Sequence, residues 1–422
     1  MSVIFGGKQI AERGTLLIQG ARCALGPQET AATSIEIADG QISRISGGSS
    51  WSLRAAARVT EIDLSGFLLM PGLINAHDHL EFALFPRLAA SLYRNYVEWG
   101  DDIHERFPEL IAEHRAVPKD VRVWWGGIRN LLSGVTTVSH HNPLRSEMLS
   151  DDFPVRVVRN YGWGHSLALG GDLRAARAAT PRGHVFIVHA CEGVDERSRS
   201  ELRGLDELGI LDDHTALVHG LAIDDGGIDL MRKRRTSLII CPSSNKFLFG
   251  RVPDMSLAGE IENVSLGNDS PLTAEGDLMD EIRFAVRTCD VSPVNAYRMV
   301  TKAPAAVLRL KHAEGSIQEA GVADLIAVRD TAQCAADRMS TLTWRDVELV
   351  MLEGRVQLAS EEVFKRLPLS PKRGLEPLSI NGEMRWVRAP VRELLWKAES
   401  VLGEGQVRLG GRAVSMAAEH AL

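Results

Sequence analysis

Apolar and polar positions first settle into a two-residue period. In "SIEIADGQISRIS" (34–46) they alternate on both sides of Asp39-Gly40, a pair that favours a tight hairpin, so residues 14–65 read as β. The pattern returns late in the chain. "ADLIAVR" (323–329) and "VELVMLEGRVQL" (347–358) are short strands, the second folding around Glu353-Gly354. The two chain ends are therefore expected to build one small β-sandwich together, from 1–65 and 320–360. Between them strand-like runs alternate with helical ones. The strands are "GVTTVSHH" (134–141), "PVRVVRNYGWG" (154–164), "GHVFIVHACE" (183–192), "TALVHG" (215–220), "TSLIICPSSN" (236–245) and "ENVSLGNDS" (262–270). The clearest helices are 195–210, 224–234 and 278–288. Such alternation predicts a parallel sheet and, over 66–319, a distorted (β/α)8 barrel of the TIM type. With Pro71 to Ala76 the strands number seven, so the eighth either hides in 164–182 or the barrel is irregular. Residues 361–422 form a C-terminal extension with one amphipathic run at 389–403. That run packs on the protein's own surface or, given the large apolar Trp386 and Trp396, makes a homo-oligomer contact.

Composition narrows the class. The net charge is −7 with no basic tract, which argues against nucleic acid or an anionic membrane as a standing partner and leaves a small molecule. No apolar run approaches the ~18 residues of a membrane span. The start, "MSVIFGGKQIAERG", lacks the apolar core of a leader. Five scattered cysteines without a C-x-x-C pair suit a reducing cytoplasm rather than a disulfide framework or a zinc ribbon.

The chemistry gathers at strand ends. "PGLINAHDHLE" (71–81) closes an apolar run with His77 and His79, two residues apart and so on one side of a strand. Two neutral imidazoles at the rim of a barrel are a natural pair of zinc or iron ligands. Alone the pair is a weak signal. Three more strand ends strengthen it: His189 in "FIVHACE", His219 in "ALVHG" and Asp269 in "SLGNDS", with Glu192 three residues beyond His189. Glu81, His141, Trp163, His165 and Asn245 also sit at strand ends and are candidates for substrate contact, with His140 and Phe247 nearby. Cys191 and Cys241 lack the partners that a thiolate nucleophile needs and read as buried thiols.

With "PGLINAHDHLE", "HACE", "VHG", "CPSSN" and "LGNDS" as landmarks over about residues 14–360, the sequence resembles the amidohydrolase superfamily. It is most similar to the metal-dependent deaminase and chlorohydrolase branch. The resemblance implies a barrel flanked by a β-sandwich, metal ligands His77, His79, His189 and Asp269, a proton-shuttling Glu192 and a supporting His219. Two-metal members of the superfamily usually bridge their ions with a carboxylated lysine, and no lysine occurs between Lys119 and Lys233, so one ion is expected, zinc before iron. The stretch before His189 is shorter than in the family, and Asp269 is followed by Ser270 and Pro271; both bear on the substrate pocket. The expected function is hydrolytic deamination of an amino-substituted heterocycle, with Asp269 taking a proton from water, Glu192 protonating the ring nitrogen and His219 bonding the new oxygen. Hydrolysis of a halide or a cyclic amide at a similar carbon is the alternative. A binding or scaffold protein on the same fold is the alternative of another class, against which the six retained residues count.

Overall fold

The computed structural model describes residues 14–47 and 59–416; the N-terminal stretch read for a leader lies outside them. Eight short parallel strands carry the candidate site residues. They are β1 (Leu73–Asp78), β2 (Val135–His140), β3 (Arg156–Val157), β4 (Gly162–Gly164), β5 (Phe186–Ala190), β6 (Thr215–His219), β7 (Ser237–Ile240) and β8 (Val264–Leu266). They form two arcs, β1-β2-β3 and β4 to β8 in order. The last strand meets the first through Asn268 N–H and Asp269 N–H, which both donate to His77 O at 2.9 and 3.0 Å, rather than through a strand ladder. The barrel is thus a distorted one, not closed by strand hydrogen bonds.

The missing strand lies inside 154–164, not in 164–182. Asn160 adopts φ 56° and turns the chain, so the run that reads as one strand becomes β3 and β4. The segment expected to hide it carries the helix Leu173–Ala179 instead. The run 236–245 is shorter than its pattern suggests. It leaves the sheet after Ile240, because Pro242 stands at the first turn of the helix Pro242–Phe249.

The chain ends build a separate, largely antiparallel sheet. Thr30–Ala38 and Gln41–Gly47 form the expected hairpin, with Asp39 and Gly40 at φ 51° and 80°. Val347–Leu352 and Arg355–Ser360 turn in the same way around Glu353 and Gly354. Phe67–Pro71 pairs with Leu325–Arg329 from the other end of the chain and passes into β1 through Gly72. A side chain at Gly72 would meet Thr136 Oγ1 at 2.3 Å, so only glycine lets this sheet and β2 approach so closely. The sheet continues through Glu376–Ile380, Glu383–Val387 and Arg412–Ser415. The C-terminal helix, Val391–Leu402, buries Val391, Leu394, Leu395 and Ala398 against the protein's own surface. Trp386 is buried and stacked on Phe364, whereas Trp396 remains 68% exposed.

Three helices follow β1: α1 (Tyr96–Arg106), α2 (Pro108–Ala116) and α3 (Lys119–Leu132). Asn95 caps α1 by accepting from Val97 and Glu98 N–H, and Pro108 starts α2. Barrel and end sheet are tied by Arg156 of β3, which pairs with buried Asp324 and reaches Glu353 at 2.9 Å. Replacing it (Arg156→Met) leaves Asp324 buried without a counter-charge, at a cost of about 3 kcal/mol. Thermal unfolding should begin several degrees lower; a variant melting with the wild type would show that this pair does not hold the two sheets together.

Candidate active site

At one end of the barrel His77, His79, His189, His219 and Asp269 converge from four strands or their following loops. His77 is the centre. Its Nε2 lies 3.1 Å from His189 Nε2, and both His77 Nε2 and His79 Nε2 lie 3.7 Å from Asp269 Oδ1. His189 gives its Nδ1–H to His165 O at 2.8 Å, which leaves the Nε2 lone pair turned to His77. Burial drives His77 down to about 3 and His189 well below the ordinary histidine range, so both rings are neutral. Asp269 stays ionised. Burial pushes its carboxyl up, but the His77 hydrogen bond and the surrounding histidines hold it well below the usual carboxylate range.

Ring nitrogens and a carboxylate oxygen that crowd together at these distances form a candidate cation site. Four ligands at zinc's ~2.1 Å stand about 3.4 Å apart in a tetrahedron, and the observed 3.1 to 3.7 Å brackets that spacing. The donor set of neutral imidazoles and one carboxylate therefore fits a divalent metal. Two overlapping triplets satisfy the spacing, His77 with His79 and Asp269, and His77 with His189 and His219.

Glu192 is buried beside this cluster, its Oε2 3.5 Å from His219 Nε2. Burial first, then the Asp269 and Glu201 carboxylates, push the Glu192 carboxyl well up from the ordinary carboxylate range. His219 gives its Nδ1–H to Asn245 Oδ1 at 3.0 Å and turns Nε2 towards Glu192. Three residues at these strand ends, Cys191, His219 and Asp269, hold φ of 56°, 75° and 59°. Each such left-handed residue costs about 1–3 kcal/mol and persists only where its neighbours over-determine it. Glu201 does so for the first, accepting Cys191 N–H at 2.8 Å and Tyr96 O–H at 2.8 Å. Ser244 and Thr273 hydroxyls hold Asp269 Oδ2 at 2.6 and 3.0 Å.

The remaining strand-end residues divide. His165 lines the cavity in front of the cluster. His141 is packed behind, 4.3 Å from the His189 ring with Nε2 on Gly164 O, and Trp163 lies behind His141 at 5.3 Å. Asn245 supports His219 from its helix. Glu81 turns to Lys119, His140 and Asn142. Phe247 lies under the Arg87 guanidinium. Asp78, between the two histidines, points away from them into a buried pair with Arg129 at 2.8 Å. Cys191 and Cys241 are buried, and burial pushes both thiols up, away from thiolate chemistry.

The cavity itself has a volume of about 240 Å³. Much of its wall comes from residues 82–111, including Phe82, Tyr96, Trp99 and Ile103, none of which the strand-end pattern singles out. The signal was present in the sequence as Tyr96, Trp99 and Ile103 at helical spacing after the Asn95 cap.

Comparison with known proteins agrees with this geometry. Residues 164–356 match the model of the Amidohydrolase family. A 5-methylthioadenosine/S-adenosylhomocysteine deaminase of Haloarcula marismortui is 27% identical over 64% of this chain and 74% of its own length. A triazine hydrolase variant superposes with a TM-score of 0.73 at 15% identity, over 92% of this chain and 99% of that one. A zinc-bound adenosine deaminase of Xanthomonas campestris gives 0.66 at 19% identity, over 91% and 97%. The chain is thus similar to the Amidohydrolase family over residues 164–356, and it shares the fold of these solved structures.

Proposed function

We propose that the chain is a mononuclear metal-dependent hydrolase that deaminates an amino-substituted heterocycle. The observation that carries this reading is Glu192, buried on the cavity wall beside the histidine and aspartate cluster, where burial pushes its carboxyl well up. A carboxylic acid that keeps its proton at neutral pH is what an amino leaving group requires, because the ring nitrogen must be protonated before C–N cleavage. A divalent ion held by His77, His79, His189 and Asp269, zinc foremost, would supply Lewis acidity and a water of lowered pKa.

The chain's own groups do the rest. Asp269, ionised and fixed through Oδ2, accepts the proton of the attacking water on Oδ1. Glu192 delivers its proton to the ring nitrogen next to the carbon under attack. His219 Nε2, with its tautomer set by Asn245, faces the oxygen that forms there. A proton relayed through Glu192 leaves with ammonia. No described helix is long and apolar enough to cross a membrane, and the five free cysteines, four of them buried, suit a reducing cytoplasm.

Replacing Glu192 with glutamine should keep metal content unchanged while ammonia release falls about 100- to 10,000-fold. Wild-type turnover in that variant would remove Glu192 from the mechanism. Metal analysis of active protein should find close to one divalent ion per chain. Chelation should abolish ammonia release and added zinc should restore it; two ions per chain would overturn the single-metal reading. Metal-dependent chloride release without ammonia would reassign the leaving group.

A further inference from the structure

The cavity wall discriminates between ring substituents. Beyond the reacting groups it is built from Phe82, Phe85, Trp99, Ile103, Ile111 and Leu272. Glu192 and Asp269 are its only carboxylates among the described residues, and no asparagine or glutamine lines it. Most of the other polar atoms of the inner wall are already engaged, and His165 has its Nδ1 3.2 Å from Ser166 Oγ. Tyr96 O–H donates to Glu201 Oε1, Trp99 Nε1–H donates to Leu88 O at 2.8 Å, and Thr273 O–H donates to Asp269. Ser270 Oγ accepts from Leu272 N–H at 3.0 Å. His104 and Arg115 belong to the exposed rim, where water serves them.

A ribose brings hydroxyl groups that a binding site usually meets with a carboxylate or an amide. Here they would lie against aromatic and aliphatic carbon and lose their water without replacement, which weakens binding on the order of ten-fold for each stranded hydroxyl. An alkyl or aryl group on the ring gains in the same place. We infer that the substrate is a compact amino-heterocycle whose ring substituents are alkyl or aryl groups, and that ribonucleosides are selected against. The inference rests on the deaminase reading for the amino group and on the wall for the substituents. It separates this chain from the relative named for a nucleoside substrate.

The test compares rings that differ only in the substituent. Zinc-loaded full-length protein is titrated calorimetrically with 9-methyl-, 9-ethyl-, 9-propyl- and 9-butyladenine against adenosine and 5′-methylthioadenosine. A parallel series uses amino-s-triazines bearing alkylamino groups against their hydroxyalkylamino counterparts. Ammonia release is measured on every compound. In at least one ring series each added methylene should tighten binding roughly four-fold until the cavity is full, the ratio set by ~0.8 kcal/mol per buried methylene, and the hydroxylated partners should bind at least ten-fold more weakly. Tighter binding of the nucleosides, no dependence on chain length, or no binding by either series at millimolar concentration overturns the inference. If the ladder appears with no ammonia from any compound, the substituent preference stands and the deamination reading falls.

Discussion

Everything at this site depends on crowding several imidazoles into one buried cluster. His77 is fully buried, with the rings of His79, His141 and His189 within about 5 Å of its own. A proton on His77, His141 or His189 would face both desolvation and its neighbours' repulsion, which holds all three rings below the ordinary histidine range. Its one strong negative group is Asp269, stabilised by hydroxyls on its far oxygen. Glu192, a few residues from the same cluster, has the opposite character because it gains no such donors and feels Asp269's charge. Two carboxyls in one cavity are thus shifted in opposite directions, Glu192 up and Asp269 down.

The scaffold serves that crowding. β1 must deliver His77 and His79 while its intervening residue, Asp78, is sent backwards into a buried pair with Arg129 of α3. Asn130 donates to the same carboxylate at 2.7 Å, and Asn75 links it to Asn268 N–H beyond β8. The seam where β1 and β8 fail to form a ladder is therefore held by side chains, and the loop carrying Asp269 is fixed to the strand carrying His77. Left-handed backbone at Cys191, His219 and Asp269 marks the same priority of site over regular structure.

How much of this could be read from the sequence varied with the range of the interaction. The metal-ligand candidates were readable because a strand's two-residue period puts His77 and His79 on one side, and because unrelated strands end in residues with lone pairs. The hairpins were readable from Asp39-Gly40 and Glu353-Gly354, whose turn geometry is local. The split of 154–164 into β3 and β4 was not, since a single residue at positive φ, Asn160, overrides a run rich in strand formers. The positions of His141, Asn245 and Glu81 followed from neighbours distant in the chain: Gly164 O, His219 and Lys119. Nothing in their own sequence neighbourhood distinguishes a supporting group from one that faces the cavity.

The helix α1 is moored to the turn that holds Glu192. Asn95 bridges to Gly193, Tyr96 N–H donates to Glu192 O, and Asn95 Nδ2 reaches Asp195 at 2.6 Å. From that mooring one continuous stretch, 82–111, supplies most of the apolar wall, while Glu192, His219 and Asp269 come from other strand ends. The apolar wall and the histidine and carboxyl cluster are consequently encoded in separable parts of the gene. Substitutions within that single loop and two helices reshape the wall while leaving the strand ends, and the cluster they carry, in place.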